Sequence, residues 1–125
     1  MTTEAPAGKR VLIVDDASST RTLLRRLLDG QGFLCTEASS GEEAVKAYHA
    51  QRPDLITLDI HMEKLSGMGV VQVLLKIDPK ARIVIVTSET EKRFIDELFR
   101  MGVKDVVHKP FQTEQLYDAI AHALR

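Results

Sequence analysis

Short apolar runs alternate with longer segments of helical period along the chain. Residues 11–14 form a continuous apolar run, typical of a strand that is buried on both faces. The segment 18–31 has helical period and ends at Gly30 and Gly32, with apolar positions at Leu23, Leu24, Leu27 and Leu28. The same alternation recurs along the rest of the chain. We therefore predict five strands, at about 11–14, 33–38, 54–59, 83–87 and 103–107, each followed by a helix.

Capping signals bound the later helices. Ser40 and Glu43 form a capping-box pattern for the second helix, Gly102 is placed to cap the fourth at its C-terminus, and Thr113 is placed to cap the fifth at its N-terminus. The fourth helix, at about 91–101, carries an apolar stripe of Phe94, Ile95, Leu98 and Phe99. Strands that alternate with helices predict a parallel sheet covered on both faces. The predicted fold is one doubly wound, five-stranded α/β domain.

Length and composition fit one globular domain. The 125 residues are 44% hydrophobic and 28% charged, and no apolar run approaches the roughly 20 residues that cross a bilayer. We expect a polar, disordered lead-in over 1–8 and a domain over 9–125.

The net charge of −1 gives no broad attraction to nucleic acid or anionic lipid. The single cysteine, Cys35, cannot form an internal disulfide, and we expect a cytoplasmic protein in which Cys35 is buried.

Five chemically active residues lie at predicted strand ends. Asp15 and Asp16 end the first strand, Asp59 ends the third, Thr87 ends the fourth, and Lys109 follows the fifth. The carboxyl ends of parallel strands share one edge of a sheet, and ligands bind in the crevice there. We therefore expect these five residues to meet in space.

Three carboxylates at one edge need positive charge beside them. Each pair repels by roughly 4 kcal/mol at 4 Å if the effective dielectric constant is about 20. Mg²⁺ and the ammonium of Lys109 are the available offsets, and Mg²⁺ favours a site of one or two carboxylates with water and phosphate oxygens. A carboxylate can also attack phosphorus to give an acyl phosphate. Asp59 can supply that nucleophile, while Thr87 and Lys109 can neutralise phosphoryl oxygens.

Four fragments resemble the receiver domains of two-component signalling. They are 11–16, 58–62 with Gly67 eight residues after Asp59, 86–88 and 109–111. Each fragment alone is a weak signal, but four in order at predicted strand ends are specific. The resemblance covers 9–125.

The resemblance implies a flavodoxin-like strand order of 2-1-3-4-5 and phosphorylation of Asp59. It implies a phosphoacceptor switch rather than a conventional enzyme, with Thr87 bonded to the phosphoryl group, Lys109 paired with it, and a cis Lys109-Pro110 bond. It further implies that Mg²⁺ is held by Asp15, Asp16, Asp59 and the backbone carbonyl of His61. In layout the chain is similar to chemotaxis response regulators and stand-alone relay receivers.

Partners follow from the same resemblance. The phosphodonor is expected to be a histidine kinase or a histidine phosphotransfer protein, docked along the first helix with Arg21 and Leu24 as candidate contacts. A downstream effector protein is expected on the face of the fourth helix, fifth strand and fifth helix. The expected oligomeric state is a monomer or weak dimer.

Two positions depart from the family pattern, and two others lie close to the expected phosphorylation site. Val106 stands where many receivers carry an aromatic residue that swings inward on activation, so the coupling to output is open. Glu63 replaces a usual proline and is expected to loosen the loop after Asp59. His61 and Glu89, two residues beyond Asp59 and Thr87, are expected to influence the lifetime of the acyl phosphate.

Three other functions are open at this point. A phosphorelay intermediate would use the same site and differ only in its partner. A flavin- or nucleotide-binding flavodoxin-like protein would need a phosphate cradle at 17–20, but that loop begins with two carboxylates. A constitutive scaffold is disfavoured by the complete set of acids, hydroxyl and lysine. The histidines lack the spacing of a metal cluster, and we expect them at the surface.

Overall fold

A computed structural model describes residues 8–62 and 67–125 of the chain. The predicted lead-in up to residue 7 and the loop position Glu63 lie outside the described residues. Each helix within 8–62 and 67–125 is too short or too polar to cross a lipid bilayer.

The five predicted strands form one parallel sheet. Their order is β2-β1-β3-β4-β5, which confirms the flavodoxin-like topology. The outer strands β2 and β5 are sheet edges, whereas β1, β3 and β4 are central. The strands are β1 Arg10–Val14, β2 Leu34–Ala38, β3 Leu55–Leu58, β4 Ile83–Thr87 and β5 Asp105–His108.

Five helices follow the strands. They are α1 Ser18–Asp29, α2 Gly41–Gln51, α3 Gly67–Ile77, α4 Lys92–Met101 and α5 Thr113–Leu124. Ser40 caps α2 by accepting from the Glu43 N–H at 3.1 Å, although the Glu43 carboxylate returns to the Ser39 N–H rather than to that of Ser40. Gly102 ends α4 with φ at 116°, a left-handed conformation that favours glycine.

The core has one layer on each face of the sheet. One layer packs α2, α3 and α4 against Leu12, Val14, Ile56, Leu58 and Ile85. The other packs α1 and α5 against Val11, Ile13, Leu55, Val84 and Val86. Alternate residues of each central strand therefore enter opposite layers, which explains why these strands are continuously apolar. Cys35 is buried as predicted, and burial raises the pKa of its thiol to about 12.

Three sequence predictions about helices are wrong in detail. Leu24 is buried while Leu23 is 48% exposed, so the buried stripe of α1 is narrower than four leucines. The predicted apolar stripe of α4 is also only partly buried, since Leu98 is completely buried whereas Phe99 is 46% exposed. The N-cap of α5 is Gln112 rather than Thr113, since Gln112 and Gln115 form a reciprocal capping box.

Thr57 is a polar exception inside the second core layer. The residue is 1% exposed, and its Oγ1 is a buried side-chain atom that finds no hydrogen-bond partner within the described part of the chain. A buried hydroxyl without a partner costs about 1 to 3 kcal/mol.

We therefore predict that Thr57→Val raises the free energy of unfolding by about 1 to 2 kcal/mol, because it removes the hydroxyl and keeps the branched shape. Urea unfolding of both proteins measures the difference. Thr57→Ser is the matched control, which keeps the hydroxyl, loses a methyl group, and should be less stable by about 1 kcal/mol. A Thr57→Val protein less stable than wild type would mean that the hydroxyl has a bonding partner.

Candidate functional site

Lys109 joins two aspartates at the carboxyl edge of the sheet. Its Nζ donates to Asp15 Oδ2 and to Asp59 Oδ2, each at 2.8 Å. Asp15 follows β1, Asp59 follows β3 and Lys109 follows β5. Along the chain, Asp15 lies 94 residues and Asp59 lies 50 residues from Lys109. The parallel topology brings them together, as the sequence predicts.

The two carboxylates are buried and held at both oxygens. Asp15 is 2% exposed and Asp59 is 6% exposed. The other oxygen of each accepts a backbone N–H two residues on, from Ala17 for Asp15 and from His61 for Asp59, both at 2.9 Å. These short-range bonds fix each carboxylate against its own loop, so both point to the same side as Lys109.

The charge of Lys109 is retained in this setting. Burial works to lower the pKa of its ammonium, but the hydrogen bonds that Lys109 donates to Asp15 and Asp59, with the attraction of their charges, outweigh burial, so the pKa is raised from its ordinary value of 10.5. Lys109 is therefore a cation at neutral pH. One ammonium against two carboxylates leaves a net negative charge in a poorly hydrated place.

Thr87 lies at the same edge, at the end of β4. It is fully buried, its backbone carbonyl accepts the Lys109 N–H at 2.7 Å, and its Oγ1 accepts the Glu89 N–H at 3.2 Å. A threonine hydroxyl that accepts one hydrogen bond can also donate one, so Thr87 can donate to an oxygen that arrives at the site. The Lys109-Pro110 bond that follows is cis, which confirms that expectation.

Asp16 is placed differently from the other two acids. It is exposed, and across residues 8–62 and 67–125 no three histidine, cysteine or acidic side chains form a group that could hold a metal ion. The structure therefore joins two of the three expected carboxylates. Mg²⁺ is usually held by one or two carboxylates, with water and phosphate oxygens completing its shell. The two buried carboxylates and the excess negative charge fit such an ion.

His61 and Glu89 form a pair that the sequence does not predict. His61 Nε2 lies 3.0 Å from Glu89 Oε1, and the two residues follow Asp59 and Thr87. The other oxygen of Glu89 accepts the N–H groups of Thr90 and Glu91. The bond from Glu91, with those from Thr90 and His61, lowers the pKa of Glu89 despite partial burial. The pair links the loops after β3 and β4.

All four histidines of the chain are exposed, as predicted.

Gly67 explains the fixed spacing of the motif after Asp59. A Cβ at this position would lie 2.2 Å from Ile60 Cα and 2.9 Å from the Asp59 carbonyl oxygen, and the Gly67 N–H donates to Ile60 O at 3.0 Å. Only glycine lets α3 begin so close to the loop of the candidate site.

The expected docking residues on α1 require a correction. Leu24 cannot contact a partner, because it is 1% exposed. Arg21 is also engaged within the domain, where its Nη1 donates to the Asp15 carbonyl at 2.6 Å. The sequence analysis missed this contact because helical spacing alone does not say which way a long side chain turns. Leu23, one position earlier than Leu24, is the exposed leucine of α1.

A protein-family model described as "Response regulator receiver domain" matches residues 11–121. The chain is 37% identical over 114 residues to the chemotaxis protein CheY of Thermotoga maritima, covering 90% of this chain and 95% of that protein. It is 30% identical over 113 residues to sporulation initiation phosphotransferase F of Bacillus subtilis, covering 90% and 91%.

A solved structure of a response regulator is also similar to this chain. The response regulator TrrA of Thermotoga maritima, in complex with Mg²⁺ and BeF, is 31% identical and superimposes with a TM-score of 0.84. The superposition covers 93% of this chain and 99% of that one.

Proposed function

Because the chain belongs to the response regulator receiver domain family, we propose that it is a signalling switch that accepts a phosphoryl group on Asp59. The observation that carries the proposal is the Lys109 ammonium shared between Asp15 and Asp59 at the sheet edge. This arrangement holds a nucleophilic carboxylate beside a fixed cation.

The phosphoryl transfer follows from the bonding of Asp59. Its Oδ1 is held by the His61 N–H and its Oδ2 by Lys109, so the carboxylate is oriented before a donor arrives. An oxygen of Asp59 forms the new bond to phosphorus as the bond to the donor's leaving group breaks. Lys109 then pairs with a phosphoryl oxygen, and the Thr87 hydroxyl donates to another.

We propose that Mg²⁺ is held by Asp15, Asp16, Asp59 and the backbone carbonyl of His61. When bound, the ion neutralises charge on the phosphoryl oxygens. Asp15 and Asp59 are already desolvated and share one cation, so they favour a second positive charge.

The proposed partners are a histidine kinase or phosphotransfer protein as donor and a downstream effector protein as target. We place the effector on the face of α4, β5 and α5, next to Thr87 and Lys109. The signal ends when the acyl phosphate is hydrolysed. The free, buried Cys35 suits the cytoplasm, where we place the protein.

A phosphorelay intermediate is the second candidate. Val106 is half-buried and packs against the core layer of α2, α3 and α4, and a valine has no ring to swing inward on activation. The chain is also similar to a protein named a phosphotransferase. Loss of the phosphoryl group to a histidine phosphotransfer domain supports the relay, whereas a gain in affinity for an effector supports a terminal output.

Phosphorylation of Asp59 can be tested with a small phosphodonor. Incubation with acetyl phosphate and Mg²⁺ should add one phosphoryl group to the wild-type chain, seen by intact-mass measurement, and little or none to Asp59→Asn, which lacks the nucleophilic oxygen. Chelation of Mg²⁺ should abolish the adduct. The matched control is Asp118→Asn, an exposed aspartate on α5, which should be phosphorylated like wild type.

A full adduct on Asp59→Asn would contradict the assignment of Asp59. A small adduct on a neighbouring hydroxyl is compatible with it, and peptide mapping of the modified chain separates the two results.

A second prediction concerns the His61–Glu89 pair. His61→Ala or Glu89→Ala should change the rate of autodephosphorylation while phosphorylation persists, because both side chains flank the route of water to the acyl phosphate. The His61 side chain is 56% exposed, and a pair with one exposed partner contributes about 0.2 to 1 kcal/mol, so the decay rate should change by about fivefold or less. The double variant should match the single variants, since each breaks the same contact. Decay unchanged in both single variants would remove the idea.

A further inference from the structure

Arg21 of α1 turns back toward the end of β1. Its Nη1 donates to the Asp15 carbonyl at 2.6 Å, and its Nε donates to Glu37 Oε1 at 3.1 Å. Only 16% of the Arg21 side chain is exposed. A planar guanidinium that is held at two edges has little freedom to rotate. The Asp15 carbonyl is therefore bonded to a donor whose own direction is set by Glu37.

This carbonyl belongs to the peptide between Asp15 and Asp16. The Asp15 N–H donates to the Ala38 carbonyl at 3.2 Å, and its two carboxylate oxygens are bonded to Ala17 and Lys109. The bond from Arg21 thus fixes the remaining polar group of Asp15. The plane of the following peptide sets the position from which the Asp16 side chain starts.

Arg25, one turn further along α1, provides a natural comparison. Its Nη1 donates to Glu37 Oε2 at 2.8 Å, so both arginines share one carboxylate. Its Nη2 donates instead to the Cys35 carbonyl at 3.0 Å, within β2 and away from the Asp15 loop. The bonds from Arg25 and then from Arg21 lower the pKa of Glu37. Of these two arginines, Arg21 joins Glu37 to the loop of Asp15 and Asp16, whereas Arg25 joins Glu37 to β2.

We propose that Arg21 is a positioning residue of the metal site, which holds the turn of Asp15 and Asp16 in the conformation that binds a divalent cation. This inference rests on the proposed function. It replaces the docking role that the sequence suggests for Arg21, since the guanidinium is already engaged within the domain. Residues behind metal ligands commonly change metal affinity by about 10- to 100-fold when they are replaced.

Charge and geometry predict opposite effects of losing Arg21. Removal of a positive charge near the acids would tighten cation binding, whereas release of the turn would weaken it. Glu37 lies 3.1 Å from the guanidinium but is shared with Arg25, so it offsets only part of the charge of Arg21. Because Arg21 Nη1 bonds the Asp15 carbonyl directly at 2.6 Å, the geometric effect should dominate. Arg21→Lys separates the two effects, because lysine keeps the charge and loses the two-edged donor.

The experiment is a Mg²⁺ titration of the full chain by calorimetry, with no phosphodonor present. Arg21→Lys and Arg21→Gln should each weaken Mg²⁺ binding by about 10- to 100-fold. Arg25→Lys, which disturbs the same acid, should stay within about threefold of wild type, since it leaves the Asp15 carbonyl untouched. Thermal unfolding in a chelator checks that every variant folds.

A second readout separates positioning from chemistry. The rate of phosphorylation by acetyl phosphate should recover in Arg21→Lys at saturating Mg²⁺, because the nucleophile and Lys109 are unchanged. Mg²⁺ affinity equal to that of wild type in both Arg21 variants overturns the inference, as does an equal loss in Arg25→Lys. A wild-type chain that binds no Mg²⁺ overturns the proposed function itself, so the two failures are distinguishable.

Discussion

Two buried carboxylates share one ammonium, and this arrangement governs the chemistry of the sheet edge. Asp15 and Asp59 are almost fully desolvated, and each contacts Lys109 at 2.8 Å. One positive charge cannot neutralise two negative charges at that distance, so the site favours a further cation. A phosphoryl group on Asp59 would add negative charge and increase that demand. The proposed dependence on Mg²⁺ is therefore a consequence of the charge balance at this edge.

The core buries the strands at this edge on both faces but buries one neighbouring helix, α4, less completely. The central strands are covered on both faces, and the Asp59 N–H still donates to the Val14 carbonyl just beyond β3. By contrast, α4 buries only Leu98 completely and leaves Phe99 half exposed. Segments with few buried contacts move at the lowest cost in free energy. The loop after Thr87 leads directly into α4, so the candidate site lies next to this less buried helix.

Sequence reasoning predicted the fold and the meeting of Asp15, Asp59, Thr87 and Lys109 because both depend on regular properties. Strand periodicity sets the layers, and parallel topology sends all strand ends to one edge. Contacts that depend on side-chain rotamers were out of reach. Neither the direction of the Arg21 side chain nor the His61–Glu89 pair follows from residue spacing. The exposed leucine of α1 is Leu23 and not Leu24, because apolar spacing defines the buried face of a helix only to within one position. The flavin alternative loses its basis, since the family match covers residues 11–121.

The shared ammonium has a consequence for proton binding. Because the folded state raises the pKa of Lys109, the ion pairs contribute their full stability below the ordinary value of 10.5, and this stability is lost as the pH rises through the raised value. The most direct measurement is an NMR titration of the lysine side chains of the metal-free chain, with Lys109 assigned by Lys109→Met. The account predicts that the pKa of Lys109 lies above 10.5. A Lys109 pKa at or below that ordinary value would contradict it.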